Sequence, residues 1–247
     1  MRTIRYKFTI KLCGASLGKK LGCIMNNVDK IFLINLDDRP DRLNYIINHL
    51  NDIGIKTFER ISATKINFES DISKMKLAQI SCFHSHLKTL RKAYQLNLNK
   101  VLILEDDCKF VNNNLNFTLD DYEILYLGCN RKIYKNENKL IYISGIEKIN
   151  DSIVKITECG TTHAIMYSRS FIEKIMDLYP SDSLFFQKAF TLDERYYIYD
   201  VFLNWFTQTN NIQRYCVYPI MCTQYESFSD IQLCHTNYEE EIQNSWL

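Results

Sequence analysis

The sequence predicts an α/β fold, with a mostly parallel mixed sheet flanked by helices. Two patterns carry that expectation. One is a strand, helix, strand order within about thirty residues near the start of the chain, the spacing of a βαβ unit. The other is a series of short aliphatic runs that each end in a polar cluster: Asn35–Asp38, Ser62-Ala63-Thr64 and Glu105–Asp107. Open α/β sheets bind ligands at the carboxyl ends of their strands, so these clusters are the places to look for chemistry.

Ile31-Phe32-Leu33-Ile34 is apolar without alternation, as a strand covered on both faces requires. A polar turn follows, in which Asp38 is suited to cap a helix and Pro40 to its first turn. Leu43, Ile46, Ile47, Leu50 and Ile53 recur at helical spacing, and Gly54 supplies the stop. Lys56–Ile61 reads as the second strand and residues 62–77 as polar and irregular. A second helix is expected to open near Ser81–Ser85, with Leu87, Leu90 and Tyr94 on one face. Val101–Leu104, Tyr122–Leu127 and His163–Tyr167 read as further strands. Arg169–Leu178 is a helix stopped before Pro180, Asp200–Phe206 another, and Cys216–Tyr218 a short last strand. With no internal repeat or Pro/Ser-rich linker, the expected organisation is an N-terminal extension (1–28), one domain (29–235) and a tail (236–247).

Composition narrows the function classes. Thirty basic and 29 acidic residues are mixed along the chain, which leaves no electrostatic footprint for nucleic acid. No apolar run approaches the ~18 residues needed to span a bilayer. The basic start, from Arg2 to Lys20, reads as a solvated tail, with membrane-surface contact as the alternative. Nine cysteines without a C-x-x-C pair predict reduced, mostly buried thiols and a cytoplasmic location, and neither they nor the five histidines show zinc spacing. The abundance of Asn, Ile and Lys points to an AT-rich genome, bacterial or viral. There is no G-x-G-x-x-G, and Gly14–Lys20 lacks both the spacing and the Ser/Thr of a phosphate loop.

The sharpest chemical signal is Glu105-Asp106-Asp107, three acids directly after Leu102-Ile103-Leu104. Like charges that close to a dry core need a cation or hydrogen bonds to offset them. Hard oxygen donors suit Mg²⁺ or Mn²⁺, and residues 105 and 107 have D-x-D spacing with Glu in first place. Ser81–His86, read as a helix start, offers backbone N–H groups with Ser85 and His86 as donors to a phosphate; ordinary capping is the competing reading. Arg39 and Arg42 straddle the first helix start. His163 reads as a core histidine, and His235 as a minor candidate for a third metal ligand. Sixteen tyrosines could stack on a sugar, although burial in the core is the commoner use.

The segments Ile34–Arg42, Arg60-Ile61-Ser62-Ala63, Ser81–His86, Leu102–Asp107, Gly160–Ala164 and Tyr199-Asp200-Val201, followed by Pro219, Gln224 and Ser229-Asp230-Ile231, occur in a fixed order. In that order the chain resembles glycosyltransferase family 25, the group of lipooligosaccharide and collagen galactosyltransferases. The resemblance implies a GT-A fold, Rossmann-like with a mostly parallel mixed sheet, and an inverting transferase using UDP-galactose or a related UDP-sugar with Mn²⁺ (or Mg²⁺). It implies nucleotide contacts at Asn35, Leu36, Arg39, Arg42 and Ala63, and diphosphate or sugar contacts at Ser85 and His86. Glu105 and Asp107 would hold the metal, Asp106 would contact ribose or sugar, and Gln224 and Asp230 would face the acceptor. Asp200, at a helix start after an aromatic loop, is the candidate base; helix capping is its plainer role. The chain departs from the family at Asp38, where a basic residue is common, and at Thr64-Lys65-Ile66, where an acidic-glycine turn is usual. The expected partners are a nucleotide sugar and a glycan, glycolipid or protein acceptor. The alternatives are a silent nucleotide-sugar-binding or interaction module and a metal-dependent nucleotide-sugar hydrolase.

Overall fold

Strand β1 (Lys30–Asn35) forms on the apolar run as expected, with every residue after Lys30 buried. The computed structural model describes residues 28–67, 71–112, 117, 119, 121–135, 140–232 and 234–247. Helix α1 (Pro40–Asp52) begins at the proline and ends before Gly54, whose φ of 84° is the left-handed turn that glycine accepts without strain. Arg39, not Asp38, occupies the N-cap position, and no side chain caps this helix. Next come β2 (Glu59–Ser62), α2 (Lys74–Gln95), β3 (Lys100–Glu105), β4 (Cys108–Phe110) and β5 (Ile124–Tyr126). Strands β6 (Lys132–Lys135), β7 (Leu140–Ile143), β8 (Ile146–Lys148), β9 (Ile153–Ile156) and β10 (Ala164–Ser168) follow. Helices α3 (Arg169–Leu178), α4 (Asp182–Ala189) and α5 (Tyr199–Thr209) come before β11 (Arg214–Val217) and β12 (Cys222–Gln224). The chain closes with β13 (Ser227–Ser229), β14 (Cys234–Thr236) and α6 (Tyr238–Asn244).

The start of α2 corrects the sequence reading. Ser73 caps it, accepting the Lys76 N–H, so Ser81–His86 lies inside the helix and its backbone amides are not free for a ligand. Leu77 and Ile80 extend the buried stripe of Phe83, Leu87 and Leu90 back over the stretch read as irregular. Tyr94, assigned to that stripe, is exposed; Ala93 is buried in its place.

One eight-stranded sheet, in the order β2-β1-β3-β10-β5-β11-β9-β8, carries the fold. β1 pairs in parallel with β2 and β3, and β5 with β11, while the other neighbours are antiparallel. This is a mixed sheet, and helices cover both faces. Phe32, Ile103 and Tyr167 pack with Phe83, Phe171 and Phe202 of α2, α3 and α5 on one side. Ile31, Leu33, Leu102 and Leu104 pack with Ile46 and Leu50 of α1 on the other. Alternate residues of one strand thus serve two cores, which is why the strands read as unbroken apolar runs.

Register sets the site. Asn35 lies opposite Ser62, and Ile34 opposite Glu105, so β1, β2 and β3 end together. β10 runs the other way, with Ala164 opposite Leu104, and delivers Thr161-Thr162-His163 to the same edge. β12 pairs with β4 so that Gln224 lies opposite Cys108, next to Asp107. Glycine is required at 128, where an added Cβ would sit 1.9 Å from the Cys222 carbonyl oxygen. The segment 236–247 folds back on the body: Ile242 is buried, Asn130 donates to Glu241 (2.8 Å), and the Trp246 indole donates to the Cys129 carbonyl (2.7 Å). Among the described residues no helix is long and apolar enough to cross a membrane.

Candidate active site

A cavity of about 890 Å³ opens at this edge of the sheet. Asn35, Leu36, Arg42, Ala63, Ser85, His86, Glu105, Asp106, Asp107, Asp200, Gln224 and Asp230 all line it. Arg39, grouped with them from sequence, does not; it is ion-paired to Asp41 (2.9 Å) and to Asp230, in the β13–β14 turn. Its role in the structure is to hold Asp230 in place.

The wall built by β1, α1 and β3 is a charge network. The Asn35 amide is fixed on both ends, donating to Asp106 (2.7 Å) and accepting from the Arg60 guanidinium (2.9 Å). Arg42 is buried, with Asp107 at 2.5 Å, Asp106 at 3.1 Å and Asp230 at 3.7 Å. Burial pushes the Asp106 carboxyl up and the neighbouring Asp107 charge adds to this; Arg42 and the Asn35 hydrogen bond oppose, leaving it at about 7. Arg42 is held firmly protonated, since Asp107 and Asp106 outweigh the cost of its burial.

Glu105 faces the other way. Its Oε1 accepts from Thr162 Oγ1 (2.6 Å) and pairs with His86 Nε2 (3.0 Å). Burial alone would raise Glu105, but the hydrogen bonds and charge of His86, with Thr162, hold it below the usual carboxylate range. The His86 ring stacks on Tyr199 (4.3 Å), whose hydroxyl meets that of Tyr167 (2.9 Å).

Asp200 enters from the first turn of α5. One carboxylate oxygen accepts the Val201 N–H (2.8 Å) and the other the Thr161 N–H (3.3 Å). No guanidinium or ammonium appears among these contacts, and burial raises its carboxyl above the ordinary value. Thr161 has a φ of 65°, a left-handed conformation that costs a β-branched residue roughly 1–3 kcal/mol. A bridge between Asn130 and Gly160 helps to hold it there.

Ser85 does not present its hydroxyl to the cavity as a free donor. It donates to Ser81 O (2.7 Å) and accepts the Thr64 N–H (2.8 Å); one turn earlier Ser81 donates to Leu77 O (2.7 Å) and accepts the Ile66 N–H (3.0 Å). Two serines four residues apart therefore clip the segment 64–66 to α2 through alternate amides. Sequence reasoning missed Ser81 and Thr162 as site residues. The S-x-x-x-S spacing was the available signal, and it resembles capping when the helix is started too late.

Glu105, Asp106, Asp107, Asp200 and Asp230 share this cavity with the buried guanidinium of Arg42. The oxygens Asp107 Oδ1 and Gln224 Oε1 are buried without a hydrogen-bond partner among the described residues. Excess negative charge beside orphaned hard oxygen donors fits a Mg²⁺- or Mn²⁺-class cation.

The family model described as "Glycosyltransferase family 25 (LPS biosynthesis protein)" matches residues 28–158. A glycosyltransferase 25 family member of Drosophila pseudoobscura pseudoobscura is 29% identical over 140 residues, 45% of this chain and 22% of that protein. Human procollagen galactosyltransferase 2 is 26% identical over 141 residues, 46% of this chain and 22% of that protein. The chain thus spans about a fifth of the length of these curated relatives. Among solved structures, A197 from STIV aligns with a TM-score of 0.42 at 13% identity, over 84% of this chain and 93% of that one. A glycosyltransferase involved in glycosylation of the major capsid of PBCV-1 also gives 0.42, at 8% identity over 88% and 98%. With the matched family region supplying β1, β2, α2, β3 and their acidic edge, the chain belongs to glycosyltransferase family 25.

Proposed function

We propose that this chain is an inverting glycosyltransferase of GT-A type. It moves a hexose, galactose or glucose, from a UDP-sugar to a hydroxyl of a glycan, glycolipid or protein. The observation that carries this reading is the entry of Asp200 into the cavity that holds Glu105, Asp106 and Asp107. A carboxyl of raised proton affinity is thereby placed within one cavity of a carboxylate–guanidinium wall, which is the division of labour that group transfer from a diphosphate requires.

The nucleotide lies along the ends of β1 and β2, against Asn35, Leu36, Ala63 and the clipped segment 64–66. Arg42 offers its charge to the diphosphate in partial exchange for Asp230. His86 and Thr162 fix Glu105, and one Asp107 oxygen has no hydrogen-bond partner among the described residues. Glu105 and Asp107 would hold Mn²⁺ or Mg²⁺, which would supply positive charge for the departing diphosphate. Asp200 takes the acceptor hydroxyl's proton as that oxygen bonds to the sugar's anomeric carbon. The bond from that carbon to the diphosphate oxygen breaks on the opposite face, with inversion. Gln224 and Asp230 border the acceptor side. The setting proposed is cytoplasmic, from the unpatterned cysteines of the sequence.

A donor screen by nucleotide release, with Mn²⁺ and with chelator, tests the reading. Release that needs both acceptor and metal is expected. No response to any nucleotide sugar overturns it, and turnover at full rate without acceptor assigns a hydrolase instead.

A further inference from the structure

We infer that Cys82, His86 and Glu105 form a binding site for a thiophilic divalent cation of the zinc class. Cys82 and His86 are one turn apart on α2, so their side chains share a face, and Glu105 meets them from the end of β3. One ligand atom from each, the Cys82 sulfur, a His86 ring nitrogen and a Glu105 oxygen, all lie within 4.8 Å of one another. Tetrahedral zinc, with bonds of about 2.0–2.3 Å, separates its ligand atoms by roughly 3.3–3.7 Å. His86 Nε2 and Glu105 Oε1 stand 3.0 Å apart in a hydrogen bond, so cation binding replaces that contact as the two atoms part by a few tenths of an ångström and the Cys82 sulfur draws in.

All three residues line the cavity, which leaves a fourth position open to solvent or ligand. The Cys82 sulfur lies in the field of Glu105, Asp200, Asp107 and Asp106, a negative surround that favours a bound cation. On binding, the sulfur–metal bond forms as the S–H proton leaves to water. Thiolate and imidazole donors prefer zinc-class ions, whereas oxygen donors such as Asp107 suit magnesium or manganese. No zinc motif was visible in the sequence because the third ligand comes from a separate strand. The inference does not rest on the proposed transfer reaction; if that holds, zinc competes with manganese for Glu105.

Cobalt serves as the probe, added to the full chain and followed by thiolate-to-cobalt charge-transfer absorption. The band is expected to saturate near one equivalent, to be displaced by Zn²⁺ and to resist excess Mg²⁺. Cys82→Ser and Cys82→Ala should abolish it, Cys234→Ser should leave it, and His86→Gln should weaken cobalt affinity by roughly tenfold or more. Circular dichroism and melting establish that each variant is folded. Absence of a thiolate band in the wild-type chain, or its persistence in folded Cys82→Ser, overturns the site. Failure of every nucleotide sugar to react while the Cys82-dependent band remains sinks only the transferase reading.

Discussion

Asp107 and Asp200 open onto the same cavity, but Asp107 meets a guanidinium at 2.5 Å whereas Asp200 is held by the amides of Thr161 and Val201. On the β1–β3 wall, Arg42 pairs with the buried Asp106 and the half-buried Asp107; on the α5 wall, burial raises the Asp200 carboxyl, which has no such cation among the described residues. A guanidinium shared between two carboxylates suits the binding of charge, and a carboxyl raised by burial with only amide donors suits taking up a proton.

The strongest way to break this contrast is Asp200→Asn. Turnover should fall roughly 10²–10⁴-fold while UDP affinity, measured by titration calorimetry, stays near the wild-type value. Near-normal turnover would mean that Asp200 is not the base. Arg42→Ala should act on the other wall and on stability, because it strands Asp106 and Asp107 without their countercharge. A loss of roughly 3–5 kcal/mol in denaturant unfolding is expected, partly recovered by adding Asp107→Asn. Ser81→Ala with Ser85→Ala should release the segment 64–66. Each hydrogen bond contributes roughly 0.5–1.5 kcal/mol, so donor KM should rise several-fold to about tenfold with kcat little changed. An unchanged KM beside a lowered Tm would make the serines purely structural.

The smallest expected effect is on pH dependence. The raised Asp200 carboxyl places the acid limb of kcat above the ordinary carboxylate range, and activity falls as pH drops through it. For stability the sign runs as for any acid with a raised folded value. Its contribution is complete below the unfolded pKa and is lost as pH climbs through the folded one. Asp200→Asn should therefore melt above wild type at alkaline pH, with the gap closing as pH falls to the ordinary carboxylate range. A constant gap would place its origin in packing.

Much of the parallel edge of the fold was legible in the sequence. Ile31–Ile34 and Val101–Leu104 announce buried strands because helices cover both faces, and the acids after β3 mark the edge where β1 and β2 also end. The start of α2 was not legible, since its cavity-facing Ser81, Ser85 and His86 interrupt the apolar stripe and imitate a cap. The short ladder of β4 and β12, which carries Gln224 to Asp107, is three residues long and makes no periodic signal. The pairing of Arg39 with Asp230 was not legible because the two lie far apart along the chain. Helix α6 was hidden by its acidic run, Glu239-Glu240-Glu241, which masks the single buried Ile242.

That last helix has a consequence for how the protein is handled. Trp246 is anchored on Cys129, Glu241 on Asn130, and Asn130 bridges Gly160, the neighbour of the strained Thr161 that holds Asp200. The segment 238–247 is therefore a buttress for Asp200, the proposed base, and an affinity tag or fusion joined to it is a mechanical load on that residue. Protein tagged at the two ends should differ in kcat before it differs in nucleotide affinity. Amide exchange at Thr161 would register the loosening first.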